Sequence, residues 1–276
     1  MQAGLKLAEI TAGPLYRART KYGAATLLAV QEQNAAAARD VYELAQRLPS
    51  TATIDELSVF GYKLSGLLFE SSELVVCYKG ERVHVLKCLD SKEAARLARF
   101  HEVFGGSLVP GVTPYELVTT HSGKRLMLMP KYATALAPVP FLSEGGIEKL
   151  WANMQAALSG LHSQGFAHMD IKPANICLDD TGEAFLIDLG SVCAFGAHTS
   201  STPAYVPRDV LSRRSSAALD WWMLAMTLAE KACGPEGGLP VGCTPCSATM
   251  SELRAHLARF LLDQVWADLQ TKLVSV

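Results

Sequence analysis

The stretch HMDIKPAN, at residues 168–175, places a histidine, an aspartate, a lysine and an asparagine close together. Such a string is also compatible with a solvated surface loop, because polar residues are common on protein surfaces. Its neighbours favour a functional site. A helical pattern ends at LHSQG (161–165) just before it, and the strand-like run FLI (185–187) leads into DLG (188–190) just after it. Several independent motifs in this order argue against coincidence.

With these motifs the chain resembles a eukaryotic-type protein kinase of the serine/threonine family, in a divergent form. That family has a catalytic loop H-R-D-x-K-x-x-N followed by a metal motif D-F-G. The resemblance covers about residues 59–230, and a lysine after the catalytic aspartate is the pattern of the serine/threonine branch. It implies an α+β, bilobal fold. The smaller N-lobe is expected to be β-rich with one helix, and the larger C-lobe to be α-helical.

The resemblance implies a role for each polar residue of the motifs. Asp170 is expected to orient the attacking hydroxyl as catalytic base, and Lys172 to place a positive charge on the transferred phosphoryl group. Asn175 and Asp188 are expected to hold magnesium. Asp220 lies in a segment, DWWML, that resembles the helix whose aspartate holds the catalytic loop from behind. ATP and Mg²⁺ are therefore the expected cofactors.

By the same resemblance, a strand lysine upstream is expected to bind the phosphates, and a helix glutamate to hold that lysine. In VHVLK (83–87) the alternation of a strand places Lys87 on the same face as Val83 and Val85. The family pairs this lysine with a helix glutamate, for which Glu93 and Glu102 are the candidates. A serine at 91 and two glycines at 105 and 106 predict a helix over about 91–104. The spacing in this helix favours Glu93, because it lies four residues before the apolar Leu97 and shares its face.

The segment RLMLMPKY (125–132) resembles the strand and hinge that join the two lobes. By this resemblance the adenine is expected to bond to the carbonyl of Pro130 and the amide of Tyr132. Proline keeps its carbonyl, so it still provides the acceptor. Val85 and Cys177 are expected to lie on either side of the adenine.

The chain departs from the family pattern at three places. The phosphate loop is degenerate, since LSGLLFESS (64–72) offers Gly66 as its one glycine. Met169 replaces an arginine that binds a phosphorylated activation loop in many kinases. The part after Glu230 is shorter than the usual helical ending. The degenerate loop and the short ending leave open a pseudokinase that binds or scaffolds. A small-molecule kinase of the aminoglycoside or choline type is a second alternative, because that class shares the aspartates, although it usually lacks a pair like Lys172-Pro173.

The organisation predicted from the sequence has two parts. Residues 1–50 form a helical N-terminal extension, and residues 51–276 form the kinase-like domain. Its N-lobe is expected at about 51–130 and its C-lobe at about 131–276, with a shortened C-terminal end. The expected partners are a protein substrate with a serine or threonine acceptor and a regulatory partner bound through the N-terminal helix.

The composition of the 276 residues predicts a folded protein, because 49% are hydrophobic and 19% charged. A net charge of −2 gives no reason to expect a nucleic acid or a membrane as partner. With no apolar stretch near the roughly 20 residues of a membrane span, a cytoplasmic or nuclear location is expected. The seven cysteines suggest reduced thiols, and the C-x-x-C of Cys243 and Cys246 leaves zinc or free thiols open.

Overall fold

The computed structural model describes residues 62–67, 74–79, 81–104, 109–119, 125–206, 214–237, 251, 254–255, 258 and 261–273. The predicted extension (1–50) and the Cys243/Cys246 pair lie outside these residues. The chain divides into two compact units, Met1–Ser91 with Pro114–Lys131, and Lys92–Thr113 with Tyr132–Val276. The predicted boundaries of the extension and the lobes stay predictions.

The first unit contains an antiparallel sheet of five strands in the order β1-β2-β3-β5-β4. The strands are β1 (Tyr62–Leu67), β2 (Leu74–Lys79), β3 (Arg82–Cys88), β4 (Glu116–Thr119) and β5 (Arg125–Pro130). In the register of β3 and β5, Val85 lies opposite Met129 and Lys87 lies opposite Met127. Residues 83–87, whose side chains are predicted to alternate between the two faces of a strand, therefore lie in a central strand of this sheet.

The helix α1 (Ser91–Phe104) has the bounds that its sequence pattern predicts. Its buried residues, Ala94, Leu97 and Phe100, recur every third position and so lie along one face. The rings of Phe100 and Phe104 each lie with their centroids 5.8 Å from that of Phe166. Residues 92–113 therefore belong to the second compact unit rather than to the sheet.

The second unit is built on α2 (Glu144–Ser163), α3 (Ala217–Gly237) and α4 (Asp263–Lys272). The side chain of Ser143 caps α2 by accepting from the Gly146 amide at 3.3 Å. Every residue of α3 from Ala218 to Ala229 is buried, so α3 is the centre of this unit. Among the described helices, none combines the length and apolarity needed to cross a bilayer.

Short strands complete the second unit and carry the polar loops. They are β6 (Thr134–Ala135), β7 (Phe166–Ala167), β8 (Ile176–Leu178), β9 (Ala184–Leu186) and β10 (Cys193–Ala194). They form a sheet in the order β6-β8-β9 and a pair β10-β7. The loop 168–175 thus runs between β7 and β8, and the residues 188–190 run between β9 and β10.

Lys231 is a charged residue in the interior of the second unit. It lies near the end of α3 and its side chain is 2% exposed. Its ammonium group lies 3.3 Å from the Ala137 carbonyl, 2.9 Å from the Val139 carbonyl and 3.1 Å from the Glu230 carboxylate. Its own carbonyl accepts from the Leu142 amide at 2.8 Å. The segment before α2 is therefore bound to α3 by polar contacts in both directions.

We expect Phe166→Ala to lower the free energy of unfolding by about 3–5 kcal/mol, because it removes a ring that packs against two others and leaves a cavity. Phe166 is 4% exposed. Phe141, at 59% exposed, is the matched control, and Phe141→Ala is expected to change stability by less than about 0.5 kcal/mol. Chemical denaturation of both variants measures the difference. Equal losses would contradict this packing.

Candidate active site

The Asp220 carboxylate holds the start of the loop 168–175. It lies in the first turn of α3 and is 0% exposed. Oδ2 accepts from the His168 amide at 2.8 Å, and Oδ1 accepts from the Met169 amide at 2.8 Å. The imidazole Nε2 of His162 lies 2.9 Å from Oδ2. Hydrogen bonds to a carboxylate are stronger than neutral ones, so this contact holds the loop firmly, as the resemblance implied.

Met169 adopts a left-handed backbone conformation, with φ of 67°. This conformation is strained for a residue with a side chain, and it persists only where the surroundings determine it. Here the two amides bound by Asp220 provide that constraint. The Met169 side chain is fully buried, so it offers no charge at the position where the family pattern has arginine.

Two further contacts bring this loop beside the strand that leads to Asp188. The Nε2 of His168 donates to the Ile187 carbonyl at 3.1 Å, since its Nδ1 accepts from the Asp170 amide at 3.4 Å. The Ile187 amide donates to the Asn175 carbonyl at 2.9 Å. Asn175 and Asp188 are therefore held on neighbouring backbone segments.

The carboxylate of Asp170 accepts hydrogen bonds from several residues of the site. Its Oδ2 accepts from Lys172 Nζ and from Asn175 Nδ2, each at 2.8 Å. Its Oδ1 accepts from the Thr202 hydroxyl at 2.6 Å and from the Thr202 amide at 3.0 Å. The Thr202 hydroxyl also accepts from Lys172 Nζ at 2.8 Å. The structure thus brings together Asp170, Lys172 and Asn175, which the sequence predicted, with Thr202, which it did not.

The surroundings of Asp170 keep its carboxylate ionised. Burial raises the pKa, but hydrogen bonds from Lys172 and Thr202 lower it, and so does the positive charge of Lys172. The lowering effects prevail, so the pKa of Asp170 lies below its ordinary value. At neutral pH this group can therefore accept a hydrogen bond or a proton.

A pocket of about 150 Å³ opens beside the Asp170 carboxylate. Apart from Asp170 it is lined by hydroxyl residues: Ser191, Ser200, Ser201 and Thr202. The Ser201 hydroxyl is buried and has no hydrogen-bond partner within the part of the chain that the structure describes. One feature of the sequence could have indicated Thr202: it begins the segment TPAYVPRD (202–209), which resembles the end of a kinase activation segment.

Asp188 begins a short turn, Leu189–Ser191, and has a φ of 57°. If residue 190 carried a β-carbon, that carbon would lie 3.2 Å from Oδ1 of Asp188 and would collide with the Glu93 carboxylate. A side chain at residue 190 would therefore displace one of these carboxylates. The structure thus places Glu93, predicted as the partner of Lys87, beside the turn that carries Asp188.

Asn175 and Asp188 fit the chemistry of a magnesium site. The amide nitrogen of Asn175 faces Asp170, which leaves its amide oxygen for a cation. Carboxylate and amide oxygens are hard ligands that Mg²⁺ prefers. Among the described residues no three His, Cys, Asp or Glu side chains form a metal-binding group. Mg²⁺ usually keeps water and phosphate oxygens among its ligands, so one or two oxygens from the protein suit this ion.

The residues predicted to bind the nucleotide lie in both compact units. Pro130 ends β5 opposite His84. The Tyr132 hydroxyl donates to Thr113 at 3.0 Å and its ring stacks on Phe185, and burial raises its pKa to about 12. The predicted nucleotide contacts all stay predictions: Gly66, Val85, Lys87, Glu93, Pro130, Tyr132, Asn175, Cys177 and Asp188.

Residues 116–237 match the family model described as "Protein kinase domain". Residues 116–237 therefore belong to a protein kinase domain of the eukaryotic type. The kinase domain is 28% identical to human serine/threonine-protein kinase 16 over 153 residues, which are 52% of this chain and 47% of that protein. It is 41% identical to rice CBL-interacting protein kinase 29 over 85 residues, 29% of this chain and 19% of that protein. The chain thus spans less than half the length of these curated relatives.

The fold of the kinase domain is also that of solved kinases. It is similar to the structure of vaccinia related kinase 3 with a TM-score of 0.61 and 13% identity, covering 78% of this chain and 81% of that one. At this identity the likeness shows the fold alone. The predicted α+β kinase-like fold is therefore confirmed.

We expect Asp220→Asn to lower the free energy of unfolding by about 1–3 kcal/mol, because the new amide group faces a buried N–H donor of the loop 168–175. Asp180→Asn, on an exposed turn, is the matched control and is expected to be within about 0.5 kcal/mol of the original. Thermal or chemical denaturation measures both. If the two variants are equally stable, Asp220 does not hold the loop.

Proposed function

We propose that this kinase domain transfers the terminal phosphoryl group of ATP to serine or threonine hydroxyls of protein substrates. The observation that carries the proposal is the ionised carboxylate of Asp170, with Lys172, Asn175 and Thr202 bound to it. The similarity to serine/threonine kinases supports the choice of acceptor. An ammonium group and a carboxylate side by side supply opposite charges where phosphoryl transfer needs them.

In the proposed reaction Asp170 orients the substrate hydroxyl and takes its proton. The new bond joins that oxygen to the γ-phosphorus, and the bond from the γ-phosphorus to the bridging oxygen breaks to release ADP. The contact of 2.6 Å between Thr202 and Oδ1 supports this role, since an aliphatic hydroxyl already donates to this carboxylate. Lys172 Nζ, 2.8 Å from Oδ2, would offset negative charge on the transferred group.

Mg²⁺ is the metal that the family implies, and Asn175 and Asp188 would hold it. When bound, it neutralises charge on the phosphate oxygens. Lys87 with Glu93 would position the phosphates beside Gly66. Val85, Pro130, Tyr132 and Cys177 would surround the adenine. We also propose a regulatory partner for residues 1–50 and a cytoplasmic or nuclear location, with no nucleic acid or membrane partner.

The alternative function is a pseudokinase that binds partners with little or no catalysis. The single glycine of the segment 64–72 favours it, because bare backbone amides normally close over the phosphates. The retention of Lys87, Asp170, Lys172, Asn175 and Asp188 favours an enzyme. Nucleotide binding measured with and without Mg²⁺ separates the two, because a catalyst requires the bound metal–nucleotide complex.

We expect the protein to phosphorylate a generic basic protein substrate with ATP and Mg²⁺, and Asp170→Asn and Asp188→Asn each to lower kcat by at least about 10²-fold. Asp188→Asn is also expected to weaken the Mg²⁺-dependent binding of ATP. Transfer of labelled phosphate and a binding titration measure these effects, with Asp180→Asn as the matched control. Equal activity in all four proteins would show that the phosphate transfer does not come from this site.

The low pKa of Asp170 predicts a pH dependence. A lowered pKa means that the carboxylate stays ionised until the pH falls below its ordinary range, so the acid limb of kcat/KM lies at low pH. We expect Lys172→Met to move that limb to higher pH, because burial still raises the pKa while a hydrogen bond and a positive charge are gone. Lys149→Met, which removes a cation paired with Glu183 on the surface, is the control. An unmoved acid limb in Lys172→Met would exclude Lys172 as the cause.

A further inference from the structure

We propose that Arg96, on α1, is a positioning residue for the metal-binding turn of residues 188–190. The inference rests on the proposed function, because it concerns the same magnesium site. In this role Arg96 touches neither nucleotide nor metal. It acts through the backbone of Gly190, which holds the carboxylate of Asp188 in the direction that the cation needs.

The contact that carries this proposal joins residues far apart in the sequence. The Nε–H of Arg96 donates to the carbonyl oxygen of Gly190 at 2.6 Å, and the bond is partly buried. A hydrogen bond from a charged donor is stronger than a neutral one, and partial burial strengthens it further. The orientation of the Gly190 peptide is therefore determined by a side chain of α1.

A second side chain of α1 lies against the same residue. Glu93 precedes Arg96 by three positions, so both lie on one face of the helix. A β-carbon added to Gly190 would collide with the Glu93 carboxylate. The turn is therefore in contact with α1 at the Gly190 carbonyl and at the Gly190 α-carbon.

The helix α1, which carries Arg96, is itself held in place by packing and hydrogen bonds within the second compact unit. The rings of Phe100 and Phe104 pack on Phe166. After α1, the Thr113 amide donates to the Leu186 carbonyl at 2.8 Å, and the Leu186 amide donates to the Gly111 carbonyl at 2.7 Å. Arg96 thus extends from an element whose own position is set by packing and by strand-like pairing to β9.

Asp188 is the residue in the turn that needs this support. Its φ of 57° is left-handed, a conformation that is strained for a residue with a side chain. It persists where neighbouring contacts determine it. The bond from Arg96 to Gly190, two residues further on, is such a contact. Loss of this bond would let the turn relax and the Asp188 carboxylate change its direction.

Two substitutions of Arg96 separate its hydrogen bond from its charge and its bulk. Arg96→Gln keeps an N–H on the nitrogen bonded to Cδ, whereas Arg96→Met keeps the length and has no donor. Arg99→Met, on an exposed part of α1, is the matched control. We expect Arg96→Met to raise the Mg²⁺ concentration for half-maximal ATP binding about fivefold to tenfold, the effect of one lost hydrogen bond. The affinity for ATP without Mg²⁺ should stay unchanged, and Arg96→Gln should recover most of the loss.

Hydrogen exchange of the protein without nucleotide or metal tests the same role independently. In Arg96→Met the amides of residues 189–192 should exchange several-fold faster, while those of α3 keep their rates, because only the turn is released. Arg99→Met should change neither. If the unaltered protein binds no ATP at any Mg²⁺ concentration, the proposed function is wrong, and the exchange rates alone decide the role of Arg96.

Three outcomes would overturn the proposal. In the first, Arg96→Met keeps the original exchange rates in the turn. In the second, exchange accelerates equally in α3, which makes Arg96 a general stabilising residue. In the third, Arg96→Gln is as impaired as Arg96→Met, which excludes the Nε–H as the cause.

Discussion

The two hydrogen bonds from the amides of His168 and Met169 to the Asp220 carboxylate are the contacts on which the rest of the site depends. A buried anion is costly to desolvate, and it is retained only with adequate partners. Here the partners are two loop amides and the His162 imidazole, and the position of Asp220 in the first turn of α3 adds the favourable helix dipole. Because successive amides must both point at one carboxylate, the chain has to turn sharply at Met169. That turn brings Asp170 to its place beside Lys172, Asn175 and Thr202.

The chemistry of the site follows from a balance around Asp170. Burial alone would favour the protonated acid, but four donated hydrogen bonds and a nearby ammonium favour the anion. The donors come from the loop 168–175 and from Thr202, so the state of the base depends on both segments. The same dependence extends to Asp188, whose turn lies beside α1 through Glu93 and Arg96. The candidate base and the candidate metal ligand are thus each supported by elements distant in sequence.

Local patterns predicted much of this arrangement. The bounds of α1 followed from a serine at its start, two glycines after its end and apolar residues on one face, and the family motif gave Asp170, Lys172 and Asn175 as neighbours. Contacts that depend on long-range packing were missed. Thr202 and Arg96 are ordinary polar residues in the sequence, and only the folded chain shows that each bonds to the site. Glu93 was chosen for its helical face, and the structure places it beside Gly190, while its pairing with Lys87 stays a prediction.

The burial of Lys231 has a consequence for the chemical labelling of the protein. Lysine side chains normally react with amine-directed reagents because their ammonium groups stand in water, whereas this one lies among backbone carbonyls with 2% of its surface exposed. Labelling of Lys231 requires the segment 137–142 to separate from α3, so the labelling rate measures how often that separation occurs. The molecule therefore contains its own chemical probe of local opening next to its central helix.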